Sequence, residues 1–149
     1  MNVEERLEIL KQIGNVAALA GLKGGVDDQG KHFMMGFSLD EGRSQAVYVR
    51  PAGENIAGQL VVTVFSPCLT VKKGLFSGFS KERALELLRL NEQVLFARFG
   101  VWENDDEMMV VASVDHLMDT MDPDELKSSA WHVAFAADNY ERKHGGDDF

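Results

Sequence analysis

Residues 3–20 place Val3, Leu7, Leu10, Ile13 and Ala17 at helical spacing, with Ile9, Val16 and Ala20 widening the stripe on one side. The pattern predicts one amphipathic helix. Its apolar arc covers roughly half the circumference, more than a single packing contact needs, which leaves part of it to meet a second surface. Gly21-Leu22-Lys23-Gly24-Gly25 then ends the helix, because glycine reaches the left-handed conformation that helix ends use. From residue 32 the period changes to two: Phe33, Met35, Phe37 and Leu39 alternate with His32, Met34, Gly36 and Ser38, as in a half-buried strand. Asp40-Glu41-Gly42 reads as a tight turn into a second strand over 43–50, with Val47 and Val49 on one face, and Pro51-Ala52-Gly53-Glu54-Asn55 as the next connection. The run 60–65 is apolar on both faces and predicts a central strand. Pro67 lacks the donor that a central ladder requires, so regular pairing should end or bulge there.

Ser80 suits the cap of a second helix, with Phe79 before it as a hydrophobic staple; this helix carries Ala84, Leu85, Leu87, Leu88 and Leu90 and ends near 91–93. Strands over 94–102 and 107–114 flank the polar hairpin Glu103-Asn104-Asp105-Asp106. Asp122-Pro123-Asp124-Glu125 is the clearest start signal in the chain, a capping aspartate with proline at the first helical position, and the helix it opens should run to about Lys143. The predicted order is α-β-β-β-α-β-β-α. Successive strands without intervening helices favour antiparallel pairing, so the fold class is α+β, an antiparallel sheet of about five strands with flanking helices. A single domain over 1–144 and a frayed acidic tail over 145–149 complete the reading.

Composition narrows the functions open to such a domain. The chain has 149 residues, 45% of them hydrophobic, enough for one core. Its net charge is −9, and residues 1–75 balance eight basic groups against eight acidic ones, so the whole excess falls on 76–149. That balance repels nucleic-acid phosphates and anionic lipid; neither is an expected partner. No apolar run approaches the ~20 residues that span a bilayer. An acidic start without a signal-peptide pattern and a single cysteine, Cys68, point to a reducing, cytoplasmic setting.

Candidate catalytic groupings are sparse. Gly21–Gly25 lacks the Gly-Lys-Ser/Thr ending of a phosphate loop and follows a helix rather than a strand. Ser77, within Gly74-Leu75-Phe76-Ser77-Gly78, is out of register for a nucleophile elbow and reads as a loop serine. Asp115, His116 and Asp119 form the one tight acid and imidazole group, at the expected end of a strand, with no nucleophile adjacent. Solvated charges at a sheet edge are the competing reading. His32, His132 and His144 sit in separate elements, the acidic residues 103–107 lack the glycine and alternation of a calcium loop, and Cys68 has no near basic neighbour to activate it. The expectation is a protein with no catalytic residues, no metal site and no cofactor. The alternative is a small-molecule or metal-dependent enzyme, or a ligand sensor, working through Asp115, His116 and Asp119.

Two features suggest a partner instead. In the last helix Leu126, Ala130, Val133, Ala137 and Tyr140 fall within an arc of roughly 80°, while Trp131 and Phe135 point about 140–180° away from Leu126. Either another part of the chain folds over these rings, or they form a subunit or partner interface. Methionines occur as the pairs Met34-Met35 and Met108-Met109. Alternation puts one of each pair on the sheet face away from the helices, where flexible thioethers suit a partner surface, unless both faces are covered and they fill the core. The interface residues expected on these grounds are Trp131, Phe135, Met34 and Met108.

The segment from Ala84-Leu85-Glu86-Leu87-Leu88-Arg89-Leu90-Asn91, through Phe99, the acidic hairpin and Met108-Met109-Val110-Val111-Ala112, to Asp122-Pro123-Asp124-Glu125-Leu126 and the helix ending Tyr140-Glu141, resembles the YbjN family. That family shares its fold with type III secretion chaperones. The likeness covers about 80–145; the first half matches only in the order of its elements. It implies an antiparallel sheet with flanking helices, a homodimer, and binding of an unidentified protein partner rather than turnover of a substrate. It carries no catalytic residues. Asn91 matches an asparagine often found at the end of the middle helix, where it caps a chain turn.

Overall fold

The computed structural model describes residues 1–74, 79–146 and 148–149. Ser77 of the glycine-flanked loop lies outside them. Asn2 caps helix α1 (Val3–Leu19) in a capping box with Glu5, and Asp122 does the same for α3 (Pro123–Lys143) with Glu125. Ser80 caps α2 (Lys81–Asn91) by accepting from the Arg83 N–H. The Ser80 and Asp122 starts follow the sequence signals; the Asn2 cap was not read from the sequence. The strands are β1 (Gly24–Val26), β2 (Phe33–Ser38), β3 (Ser44–Glu54), β4 (Leu60–Lys72), β5 (Arg98–Glu103) and β6 (Glu107–Leu117).

They form one antiparallel sheet of six strands in the order β1-β2-β3-β4-β6-β5, so the α+β class holds with one strand more than expected. The addition is β1, which lies within the glycine run that ends α1. A Cβ at Gly24 would sit 2.4 Å from the Met34 carbonyl oxygen, so glycine lets this backbone approach β2 as well as ending the helix. The stretch 51–54 also differs from its reading as a connection. β3 continues to Glu54 because a bulge between Pro51 and Gly53 absorbs the proline, and the turn lies at Asn55, whose Oδ1 accepts from Ala57 and Gln59 N–H at 2.9 and 3.0 Å. The second proline behaves as expected: β4 bulges between Pro67 and Leu69 and continues.

One face of the sheet carries all three helices. Phe33, Met35, Phe37, Val47, Val49, Val62, Val64, Phe99, Val110 and Ala112 point from that face into a core shared with Leu10, Ile13 and Ala17 of α1, Leu87 of α2 and Leu126, Ala130, Val133 and Ala137 of α3. α3 packs on β3, β4 and β6, α1 on β1, β2 and β3, and α2 on β5. Val3 and Leu7, at the start of the main α1 stripe, stay exposed, whereas Ile9 and Val16, which widen the stripe, pack against the core. No described helix is long and apolar enough to cross a membrane.

The core encloses charge at one end. Asp138 and Glu141 of α3 are buried, and Arg43, from the turn before β3, reaches Asp138 at 2.5 Å and Glu141 at 3.8 Å. Arg142 bridges Asp138 to Glu41 at 3.3 and 3.4 Å. The terminal segment joins the same group: Arg43 Nη2 donates to the Gly146 carbonyl at 2.9 Å, and the Asp148 N–H donates to Glu141.

Candidate functional site

The face of the sheet opposite the helices bears an aromatic cluster. Alternation and register bring Met34, Tyr48, Phe65, Ser113 and Arg98 into one row across β2, β3, β4, β6 and β5. Phe65 stacks on Tyr48 with centroids 5.4 Å apart, Trp102 leans onto Phe65 at 4.6 Å, and His32 meets Tyr48 and Phe65 edge-on at 5.8 and 5.7 Å. Arg50 crosses above Phe65 and sets its guanidinium 4.3 Å over the Trp102 ring. Phe65, within these contacts, and Val111 on the same face are buried although neither belongs to the helix-side core. Arg50 Nε is itself shielded and has no hydrogen-bond partner among the described residues.

The floor beside the cluster is smooth. A Cβ added at Gly36 or Gly100 would meet nothing within 4 Å. Met34 projects from the same face, 45% exposed. His32 is fixed by Asp27 at 2.7 Å. Burial raises the Asp27 carboxyl, but hydrogen bonds from the Lys31 N–H and from His32 outweigh it and hold the group below its ordinary value. Chemically the surface can stack on flat or apolar groups and offer guanidinium donors.

The Asp115, His116 and Asp119 group is divided by the pleat. Asp115 and His116 are adjacent residues within β6 and face opposite sides of the sheet. Asp115, on the bare face, pairs with Arg98 and accepts from Thr63 Oγ1 at 2.6 Å; His116, on the helix side, lies 2.5 Å from Ser129 Oγ; Asp119 is exposed in the turn beyond. Among the described residues no three His, Cys, Asp or Glu side chains converge as metal ligands. Cys68 is the extra residue of the β4 bulge, and burial pushes its thiol well up.

Burial lowers the His116 pKa below 6.5, against the opposing influence of Glu125, Asp115 and Asp122. The unfolded chain therefore binds this proton more readily than the folded one, and stability falls as pH drops through 6.5 towards the folded value. Urea midpoints measured from pH 7.5 to pH 5 should decline in the wild type and decline less in His116→Gln. Equal slopes would remove His116 as the cause. Asp27 and Glu86, whose lowered carboxyl values start from 3.8 and 4.5, act in a more acidic window.

The expected interface residues separate onto different surfaces. Trp131 is partly accounted for within the chain, edge-on to Phe37 at 4.7 Å and stacked on Phe135 at 5.5 Å. Phe135 is 48% exposed, beside a groove of about 370 Å³ lined by Val94, Leu95, His132, Ala136 and Asn139. Met108 shares the helix-side face of β6 with Val110 and Ala112, and Met109 is the one turned to the bare face. Met35, Met118 and Met121 fill the core. Sequence periodicity missed Tyr48, Arg50, Phe65 and Trp102 as a group, because they come from three strands and only register joins them.

Asn91 closes part of the β5 edge. Its Oδ1 accepts from the Phe99 N–H at 2.7 Å and its Nδ2 donates to the Phe99 carbonyl at 3.2 Å, satisfying both outward backbone groups with one side chain. Asn91→Ala should lower stability by about 1–3 kcal/mol, the cost of leaving buried donors and acceptors unmet, measurable by urea denaturation. A change below about 0.5 kcal/mol would show that water replaces the amide. In comparisons with known proteins, no family model matches the chain and no curated protein matches it.

Proposed function

We propose that this chain is a non-catalytic protein-binding module of the YbjN and type III secretion chaperone-like kind, a cytoplasmic homodimer that acts as a chaperone-like or regulatory adaptor. The observation that carries the reading is the bare sheet face, where Tyr48, Phe65, Trp102 and Arg50 form a surface that no described helix covers. Clustered Tyr, Trp and Arg are the residue types that dominate protein interfaces. An apolar segment of the partner lies across Tyr48 and Trp102, over the floor left by Gly36 and Gly100, with Met34 adapting at the side. The division of Asp115 from His116 by the sheet weighs against catalysis by that group.

The test compares tagged wild type with Tyr48→Ala/Trp102→Ala as baits in the native cytoplasm, followed by mass spectrometry. A stoichiometric protein held by the wild type and lost by the folded variant supports the reading. Absence of any stoichiometric protein, or its equal retention by the variant, defeats it.

A further inference from the structure

We infer that Arg50 is the docking point for a carboxylate on the partner's segment, an Asp or Glu side chain two residues from an apolar one that lies on the rings. The inference rests on the reading of the bare face above and adds the chemistry of its occupant. The Arg50 guanidinium lies 4.3 Å over Trp102 and 5.7 Å from the centre of Phe65. Among the described residues it has no ion-pair or hydrogen-bond partner, and its Nε–H is shielded from water. The carboxylates of this face are committed elsewhere. Asp115 stands in the same row, across Thr63 from Arg50, yet turns to Arg98 and to Thr63 Oγ1. Asp27 is held by His32 and the Lys31 N–H, and Glu107 pairs in register with Lys72 near the other end of β6.

An apolar segment laid across Tyr48 and Trp102 removes water from this guanidinium, which then needs a charged acceptor, because a cation buried without a counter-ion is costly. Stacking on Trp102 holds the planar fork in place for two parallel N–H···O bonds to one carboxylate. Smooth floor lies on both sides of the rings, at Gly36 in β2 and at Gly100 in β5, so the segment crosses the face and continues instead of ending on it. The acid is therefore a side chain and not a chain terminus. In an extended segment residues two apart share a side, so the acid that reaches Arg50 stands two positions from the residue on the rings.

A random-peptide display library selected on the wild type should enrich Asp or Glu two positions from an aromatic or aliphatic residue. General attraction to a chain of net charge −9 would enrich Lys and Arg instead. By calorimetry, a synthetic copy of the enriched peptide with an amidated C-terminus should bind the wild type roughly ten- to a hundredfold more tightly than a copy whose acid is changed to its amide. Arg50→Gln should bind the two copies alike. Enriched peptides without the acid, an amide copy that binds the wild type equally well, or a preference unchanged in Arg50→Gln each overturn the inference and leave the reading of the face standing. A library from which the wild type enriches nothing beyond what Tyr48→Ala/Trp102→Ala enriches overturns both. Should Arg50→Gln fail to fold by circular dichroism, Arg50→Lys takes its place: it keeps the charge without the fork, and an undiminished preference for the acid overturns the inference.

Discussion

Arg43→Ala should lose about 3–5 kcal/mol of stability, the usual cost of removing one partner from a buried ion pair. The guanidinium stands against Asp138 and Glu141, both nearly solvent-free, and also holds the Gly146 carbonyl. Without it, Asp138 keeps Arg142 at 3.3 Å, while the group as a whole has two enclosed carboxylates and one fewer cation. Against a typical domain stability of about 5–15 kcal/mol, this change brings the protein near the edge of folding. Urea denaturation followed by circular dichroism measures it, and a loss under about 1 kcal/mol would mean that water or side-chain rearrangement takes over the pairing. Arg43→Met combined with Asp138→Leu should recover part of the loss, because an apolar pair in place of a buried ion pair is often neutral.

Phe65→Ala is the second large effect, at about 3–5 kcal/mol, the range for truncating a buried phenylalanine. The expectation is informative because Phe65 is not part of the helix-side core. It is buried between Tyr48, His32, Trp102 and Arg50, so its removal takes the centre from the ring contacts. Thermal unfolding would register the loss as a lowered midpoint. A cost below about 1 kcal/mol would show that the rings on the bare face are loosely held and adapt individually.

Much of the architecture could be read from the sequence because it rests on local signals. Asp122 with Glu125 and Ser80 each mark a helix start through side-chain and backbone groups within one turn, and the alternation from Phe33 to Phe37 states which residues face the helices. Pro67 announced its bulge because the missing donor is a property of that residue alone. Long-range features were less legible. Arg43, Asp138 and Gly146 carry no sequence sign of their association, and β1 was hidden because the glycine that permits its approach to β2 lies in the run that stops α1. The aromatic face depends on a register between strands far apart in the chain. Trp131 and Phe135 were recognisable as residues off the core stripe, whereas the exposed Leu95 and Phe96 depend on a turn with positive φ that composition does not signal.

The strand order has a consequence for the growing chain. β4 lies between β3 and β6, yet α2 and β5 are synthesised before β6 exists. During that interval a meander of β1 to β4 can assemble with one long margin of β4 unpaired, and that strand is apolar on both faces over 60–65. An unpaired apolar strand margin is the feature through which partly folded chains associate wrongly. Emergence of residues 107–117 closes it, so the second half completes the sheet from the middle as well as extending it to β5. Crowded synthesis, or a pause between residues 72 and 107, is the stage at which this protein is most exposed to misassembly.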